Sequence, residues 1–160
     1  MLIRAGSANS KERIVAMPSV QKSVLVPYSA EQMFELVAAI EDYPKFLPWC
    51  GGASILERGP EEALARLDIN YHGVRTHFVT TNRNERPERI AIELREGPFR
   101  HLGGRWRFLP LGAIGSKVEL ELHYEFANAV LARLIGPVFS HIAHTFVDAF
   151  VRRAEDVHGK

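Results

Sequence analysis

The run Val118-Glu119-Leu120-Glu121-Leu122-His123-Tyr124-Glu125-Phe126 decides the fold, together with a second series downstream: Leu131, Ile135, Val138, Phe139, Ile142, Phe146 and Phe150. In the run, apolar and polar residues alternate strictly, the pattern of a strand with one dry face and one wet face. In the series, the apolar residues recur every three or four positions, which makes one stripe along a helix. Asn128, between the two, is placed to cap that helix. Gly136-Pro137 falls inside it, and an interior proline costs about 3 kcal/mol, so the pattern predicts a kink or a restart there. A sheet with one dry face, next to a long helix able to cover it, is an α+β packing.

Upstream of this run the same period of two repeats. Leu102, Gly104, Trp106 and Phe108 form one apolar face, and Ile90, Ile92 and Leu94 alternate with Arg89, Glu93 and Arg95. Val74, Thr76, Phe78 and Thr80 alternate with Arg75, His77 and Thr81; Ala63, Ala65, Leu67, Ile69 and Tyr71 alternate with Arg66, Asp68 and Asn70. Gly73, Gly97-Pro98 and Pro110–Gly115 supply the turns. With Ile55 and the β-branched run Val20–Val26, the count is about seven antiparallel strands in a meander. A helix interrupts early: Ser29 and Gln32 form a capping box, Tyr28 and Met33 a hydrophobic staple, and Met33, Phe34, Val37 and Ile40 come at helical spacing. Pro44 and Pro48 leave Glu41–Cys50 irregular or one turn of helix.

A chain of 160 residues is the size of one domain. Its net charge of +1 gives no general attraction to nucleic acid or anionic membrane, though a one-sided basic patch stays open. With Cys50 as the sole cysteine no internal disulfide forms, and a reducing, cytoplasmic setting is expected. No stretch reads as the roughly 20 apolar residues that span a bilayer. Residues 1–16 are polar, small and aperiodic, without the apolar segment of a secretory signal. We expect a disordered tail there, Met17 as an alternative start, and one domain over residues 17–160.

The familiar catalytic patterns are missing: no Gly-rich phosphate loop, GxSxG, CxxC or HExxH. Cys50 lies in Pro48-Trp49-Cys50-Gly51-Gly52 with no nearby base to lower its pKa, so it reads as structural. His141, His144 and Asp148 have metal-ligand spacing but fall off the Phe139–Ile142–Phe146 stripe, hence on the solvent face. Arg105 and Arg107 point outward beside Glu119 and Glu121, which suits cross-strand ion pairs. Arg83, Arg86, Arg89, Arg95 and Arg100 gather around one hairpin with Glu85, Glu88, Glu93 and Glu96 interspersed. That mixture reads as a solvated face, with a modest ribosome-facing patch as the alternative. On the dry side, Thr76, Thr80 and Asn82 share the Phe78 face and are available to a ligand's polar group or to the backbone.

Three separated motifs carry a resemblance. Val26-Pro27-Tyr28-Ser29-Ala30-Glu31-Gln32-Met33-Phe34 with Tyr43-Pro44-Lys45-Phe46-Leu47-Pro48-Trp49-Cys50 is the first. The others are Gly97-Pro98-Phe99-Arg100-His101-Leu102-Gly103-Gly104-Arg105-Trp106-Arg107-Phe108-Leu109-Pro110-Leu111 and Phe146-Val147-Asp148-Ala149-Phe150-Val151-Arg152-Arg153-Ala154. In this order, spread over Met17–His158, they resemble the coenzyme Q-binding protein and ribosome-association toxin family of the START-like superfamily. One departure is that Phe78-Val79-Thr80-Thr81-Asn82 stands where the family often reads Phe-Thr-Thr-Arg-Asn, with Arg83 one place later.

The resemblance implies a helix-grip fold, a curved sheet around the last helix, and two functions. One is binding of ubiquinone or a related prenyl lipid in an internal cavity, in support of respiratory electron transport. The other is a toxin's association with the large ribosomal subunit, which blocks subunit joining. A third label, polyketide cyclase, rests on fold analogy. We expect a non-enzymatic hydrophobic-ligand binder, with no required cofactor and no metal. Its ligand would be held by Phe46, Trp49, Tyr71, Phe78, Ile92, Phe99, Trp106, Phe108, Leu120, Phe139, Ile142 and Phe146. The Tyr43–Trp49 loop is expected as a lid or an edge touching the inner membrane, and Arg83, Arg86 and Arg89 as the ribosome contacts on the alternative reading.

Overall fold

In the computed structural model the described residues are 18–159. The tail expected over residues 1–16 lies outside them. The chain opens with strand β1 (Ser19–Val26), helix α1 (Ala30–Ala38) and a 3-10 segment (Ile40–Lys45). Six strands come next: β2 (Cys50–Arg58), β3 (Glu62–Tyr71), β4 (Val74–Glu85), β5 (Arg89–Glu96), β6 (Phe99–Leu111) and β7 (Gly115–Phe126). Helix α2 (Ala129–His158) ends the fold. The seven strands make one antiparallel sheet in the order β1-β7-β6-β5-β4-β3-β2. Thus β2 to β7 form a meander, and α1 with the 3-10 segment carries the chain from β1 at one edge to β2 at the other.

Local chemistry sets the ends of the helices. Ser29 Oγ accepts from the Gln32 amide at 3.0 Å and Gln32 Oε1 accepts from the Ser29 amide at 2.9 Å, so the capping box is closed. Asn128 Oδ1 accepts from the Leu131 amide at 2.9 Å and starts α2. The sheet alternates as the period of two requires: along β7 every second residue from Ser116 to Phe126 is buried. Its inner face is covered by α2, whose Ile135, Phe139, Ile142, Val147 and Phe150 are buried.

The break expected at Gly136-Pro137 is absent, for α2 runs unbroken across it. Pro137 gives up one backbone hydrogen bond, but buried Ile135, Phe139 and Ile142 lie on both sides of it. Each such side chain is worth about 1.5–3 kcal/mol when buried, enough to hold the helix through the proline. The reading that no stretch is long and apolar enough for a bilayer also needs correcting. By length and composition α2 qualifies; here its stripe packs on the sheet. Where β6 meets β7 the backbones approach closely at Gly104, whose Cβ would overlap the Glu121 carbonyl oxygen.

Candidate functional site

Between the inner face of the sheet and α2 lies a cavity of about 60 Å³. The middle strands supply Ala65, Leu67, Phe78, Thr80, Asn82, Ile90 and Ile92, and the next two supply Leu102, Trp106 and Leu122. Helix α2 closes it with Phe139, Ile142, Ala143 and Phe146, while Val37, Ile40, Tyr43 and Trp49 close the end under α1. The void has a local cause. Alanines stand at 65 and 143 where neighbouring positions carry large side chains, and Ala65 sits directly across from Thr80 on the adjacent strand.

Of the residues expected to hold a ligand, Trp49, Phe78, Ile92, Trp106, Phe139, Ile142 and Phe146 border this cavity. The other five do not. Phe46 packs outside it against Phe150, with the Arg153 guanidinium 5.1 Å over its ring. Tyr71 stacks on His141 at the surface end of β3, 5.8 Å between centroids. Phe99 completes a cluster with Phe126 and Phe139, and Phe108 fills the contact with Phe34 of α1. Leu120 is buried in the sheet and is not among the cavity walls. Tyr71, Phe108 and Leu120 follow the alternation of the dry face, Phe99 joins it through the irregularity between Phe99 and His101, and Phe46 lies outside the sheet; that face is longer than the cavity it floors.

Much of the Tyr43–Trp49 segment faces inward. Tyr43, Leu47 and Trp49 are buried, and the Tyr43 hydroxyl donates to the Val37 carbonyl at 2.6 Å. Burial raises the Tyr43 pKa well above that of a free phenol. The segment is a wall, with Trp49 tilted against Phe146 at 6.0 Å between centroids. Exposed apolar side chains lie elsewhere, at Val130 and Leu134 in the first turns of α2 and at Leu111 and Ile114 around the β6–β7 turn.

Polar groups are few inside. Thr80 and Asn82 are buried and share the Phe78 face as expected, with the Thr80 hydroxyl donating to Asn82 Oδ1 at 2.7 Å. Thr76, the third residue of that set, is half-buried and does not line the cavity. Cys50 is buried, its thiol donating to the Gly52 carbonyl at 3.3 Å, and burial pushes its pKa up to about 11. It therefore holds its proton at neutral pH and is a poor nucleophile.

Many of the surface charges are paired. Arg105 meets Glu121 at 3.3 Å and Arg107 meets Glu119 at 3.3 Å, the cross-strand pairs that the alternation predicts. In the arginine hairpin, Arg83 meets Glu62 at 2.6 Å and Arg89 meets Glu85 at 2.8 Å. Arg86 pairs with Glu35 of α1 and lies 4.9 Å over the Phe34 ring. On the outer face of α2, His144 Nδ1 is 2.8 Å from the Ser140 carbonyl oxygen, and Asp148 is held by Lys22 at 3.2 Å. Each of these groups already has a partner other than a metal.

Comparison with known proteins places this architecture. Residues 26–151 match the family model described as polyketide cyclase / dehydrase and lipid transport. The ribosome association toxin RatA of Escherichia coli K12 is 39% identical over 144 residues, 90% of this chain and 91% of the relative. A mitochondrial coenzyme Q-binding protein COQ10 homolog B from Xenopus laevis is 25% identical over 144 residues, 87% of this chain and 59% of the relative. Among solved structures, a START superfamily protein from Mycobacterium smegmatis superposes with a TM-score of 0.73 at 26% identity, over 87% of this chain and 98% of that one. The Zhui aromatase/cyclase from a Streptomyces species superposes at 0.76 with 21% identity, covering 87% and 94%, a likeness of fold alone. A sheet gripping its last helix around an apolar cavity, with a family match over most of its length, makes this chain a member of the polyketide cyclase/dehydrase and lipid transport family.

Proposed function

We propose that the protein is a non-enzymatic binder of a hydrophobic ligand, of the ubiquinone or prenyl-lipid class, held between the sheet and α2. It works in the cytoplasm, with its ligand drawn from or delivered to the inner membrane. The observation that carries this reading is the cavity's lining: mostly apolar and aromatic side chains, with Thr80 and Asn82 as a buried polar pair on one wall. Burial of a ligand's apolar surface would drive binding at roughly 25 cal/mol per Å². Among the described residues the lining offers no carboxylate, imidazole or thiol, and its one phenol, Tyr43, already donates its proton to the Val37 carbonyl, which favours a binder over a cyclase. The COQ10-type relative adds support.

At about 60 Å³ the cavity is far below the roughly 300–1,000 Å³ of ordinary ligand sites, so uptake requires side chains to give way. Trp49 and Phe146, facing each other at the end under the 3-10 segment, are the walls we expect to move. The test is native mass spectrometry of the purified protein, with organic extraction and quinone detection on the same sample. A quinone or prenyl lipid at near one per chain is the expected result. A protein that stays empty after incubation with quinone overturns the reading.

The second reading, association with the ribosome, is favoured by the full-length similarity to RatA at 39% identity. In this reading Arg83, Arg86 and Arg89 meet rRNA phosphates by exchanging the carboxylates they now hold. Exposed ion pairs are worth about 0–1 kcal/mol, so that exchange is cheap. Three such contacts give a log–log salt dependence of slope no steeper than about −3. Substitution of all three by Ser removes co-sedimentation with the large subunit if the hairpin is the contact. An unchanged profile eliminates it.

A further inference from the structure

We propose that Asn82, held in place by Thr80, determines which ligands the cavity accepts: uncharged molecules bearing a hydrogen-bond acceptor such as a ketone or quinone carbonyl, and not ionised lipids. This rests on the reading of the cavity as a ligand site and adds to it the group that reads the ligand.

Apart from the phenols, indoles and thiol of the core, the buried polar side chains among the described residues are Thr80, Asn82 and Ser116. Ser116 lies away from the cavity and donates to the Tyr28 carbonyl at 2.8 Å, which accounts for it. Thr80 and Asn82, 5% and 9% exposed, sit instead on the cavity wall in an otherwise apolar stretch of the dry face. A core built only for packing would carry Val and Leu there, because a buried amide left without partners costs about 1–3 kcal/mol.

The geometry shows how the amide is presented. The Thr80 hydroxyl donates to Asn82 Oδ1 at 2.7 Å, which fixes the side-chain torsion and turns the two hydrogens of Nδ2 away from Thr80. The strand register gives that amide room. On β3 its cross-strand neighbour is Ala63, and Thr80's is Ala65. A carbonyl oxygen entering this space meets a fixed donor in a water-poor surrounding, where a hydrogen bond is stronger than in solvent.

Charge decides the other half. Among the described residues no Lys, Arg or His lines the cavity, and no Asp or Glu. An ionised carboxylate or phosphate drawn inside would lose its hydration against one amide donor, a desolvation that unpaired charges do not survive in protein interiors. A neutral carbonyl loses little and gains the Nδ2 bond.

The test uses three probes with tails of nine or ten carbons: decylubiquinone, decylbenzene and decanoate at pH 8. Trp49 and Trp106 both border the cavity, so quenching of intrinsic fluorescence reports quinone entry and competition reports the others. The wild-type chain should bind decylubiquinone about tenfold more tightly than decylbenzene, the worth of one hydrogen bond, and should not yield to decanoate. Asn82→Leu should bind decylubiquinone and decylbenzene equally. Thr80→Val, which keeps shape and frees the amide to rotate, should lose part of the preference and serves where Asn82→Leu does not fold. A retained quinone preference in both variants, or decanoate competing as well as the quinone, overturns the inference while the cavity remains a ligand site. If none of the probes enters the wild-type chain, the cavity reading itself fails and the inference falls with it.

Discussion

Ala65→Val asks whether the space in the dry face is a packing defect or a site. Ala65 is buried on β3, borders the cavity, and faces Thr80 across the strand pair. Valine adds two methyl groups at a strand position that favours β-branched residues. Their burial is worth about 1.6 kcal/mol at about 0.8 kcal/mol each. Filling the void independently predicts about 1.4 kcal/mol, from a cavity of about 60 Å³ at about 24 cal/mol per Å³. For a domain of this length that raises Tm by about 3–6 °C. The wild-type chain with decylubiquinone at a hundred times Kd should gain about 2.7 kcal/mol, or about 5–11 °C. In the variant that ligand-dependent shift should vanish. Differential scanning fluorimetry with and without quinone reads both effects. A variant that is stabilised yet keeps the full ligand shift would show that the ligand binds elsewhere. One that is destabilised by more than about 1 kcal/mol would show that the space beside Thr80 is not there.

Three further outcomes check the frame of the site. Gly104→Ala would drive a Cβ into the Glu121 carbonyl and to 2.9 Å from the Leu122 Cα. The β6–β7 pair must then part at a cost of about 1–3 kcal/mol, and a thermal melt within about 1 °C of wild type would refute the close approach. The Cys50 thiol should resist iodoacetamide at about pH 7.5 in the folded chain and become reactive near its pKa of about 11; rapid labelling at neutral pH would refute its burial. The same raised pKa favours the protonated fold. Its contribution to stability is complete below the unfolded thiol's pKa of about 8.5 and fades as pH climbs to about 11. Cys50→Ala should flatten that alkaline decline, as followed by urea denaturation.

The elements were legible because their signals are local. Alternation from Val118 to Phe126, the Ser29–Gln32 box and the stripe from Leu131 to Phe150 each depend on residues a few positions apart. Even the Arg105–Glu121 and Arg107–Glu119 pairs come from two adjacent strands in the right register. Pro137 misled because its penalty is local while the burial that outweighs it is tertiary. The Tyr43–Trp49 segment is ambiguous for the same reason: its aromatic rings are apolar whether they face lipid or core, and only the α1-to-β2 crossing turns Tyr43, Leu47 and Trp49 inward.

The cavity marks where local patterns stop being informative. Alternation tells which side chains point to the dry face, and so it named Phe108 and Leu120 alongside Phe78 and Trp106. It does not tell where that face is filled, because filling depends on what stands opposite. Ala65 opposite Thr80 and Ala143 one layer above come from β3, β4 and α2, segments far apart in sequence. An alanine in an apolar run carries no signal of its own; it becomes a void only when its neighbours across the strand and across the layer are too short to reach it. Thr80 and Asn82 were visible as polar residues on an apolar face, yet a backbone-bonded threonine looks the same in sequence. The 2.7 Å bond between them separates the two cases, since Thr80 donates to the side chain of Asn82, which borders the cavity, and not to a backbone carbonyl. The site is therefore a property of three elements meeting, and substitutions at the alanines should alter ligand uptake as much as substitutions at the aromatic walls.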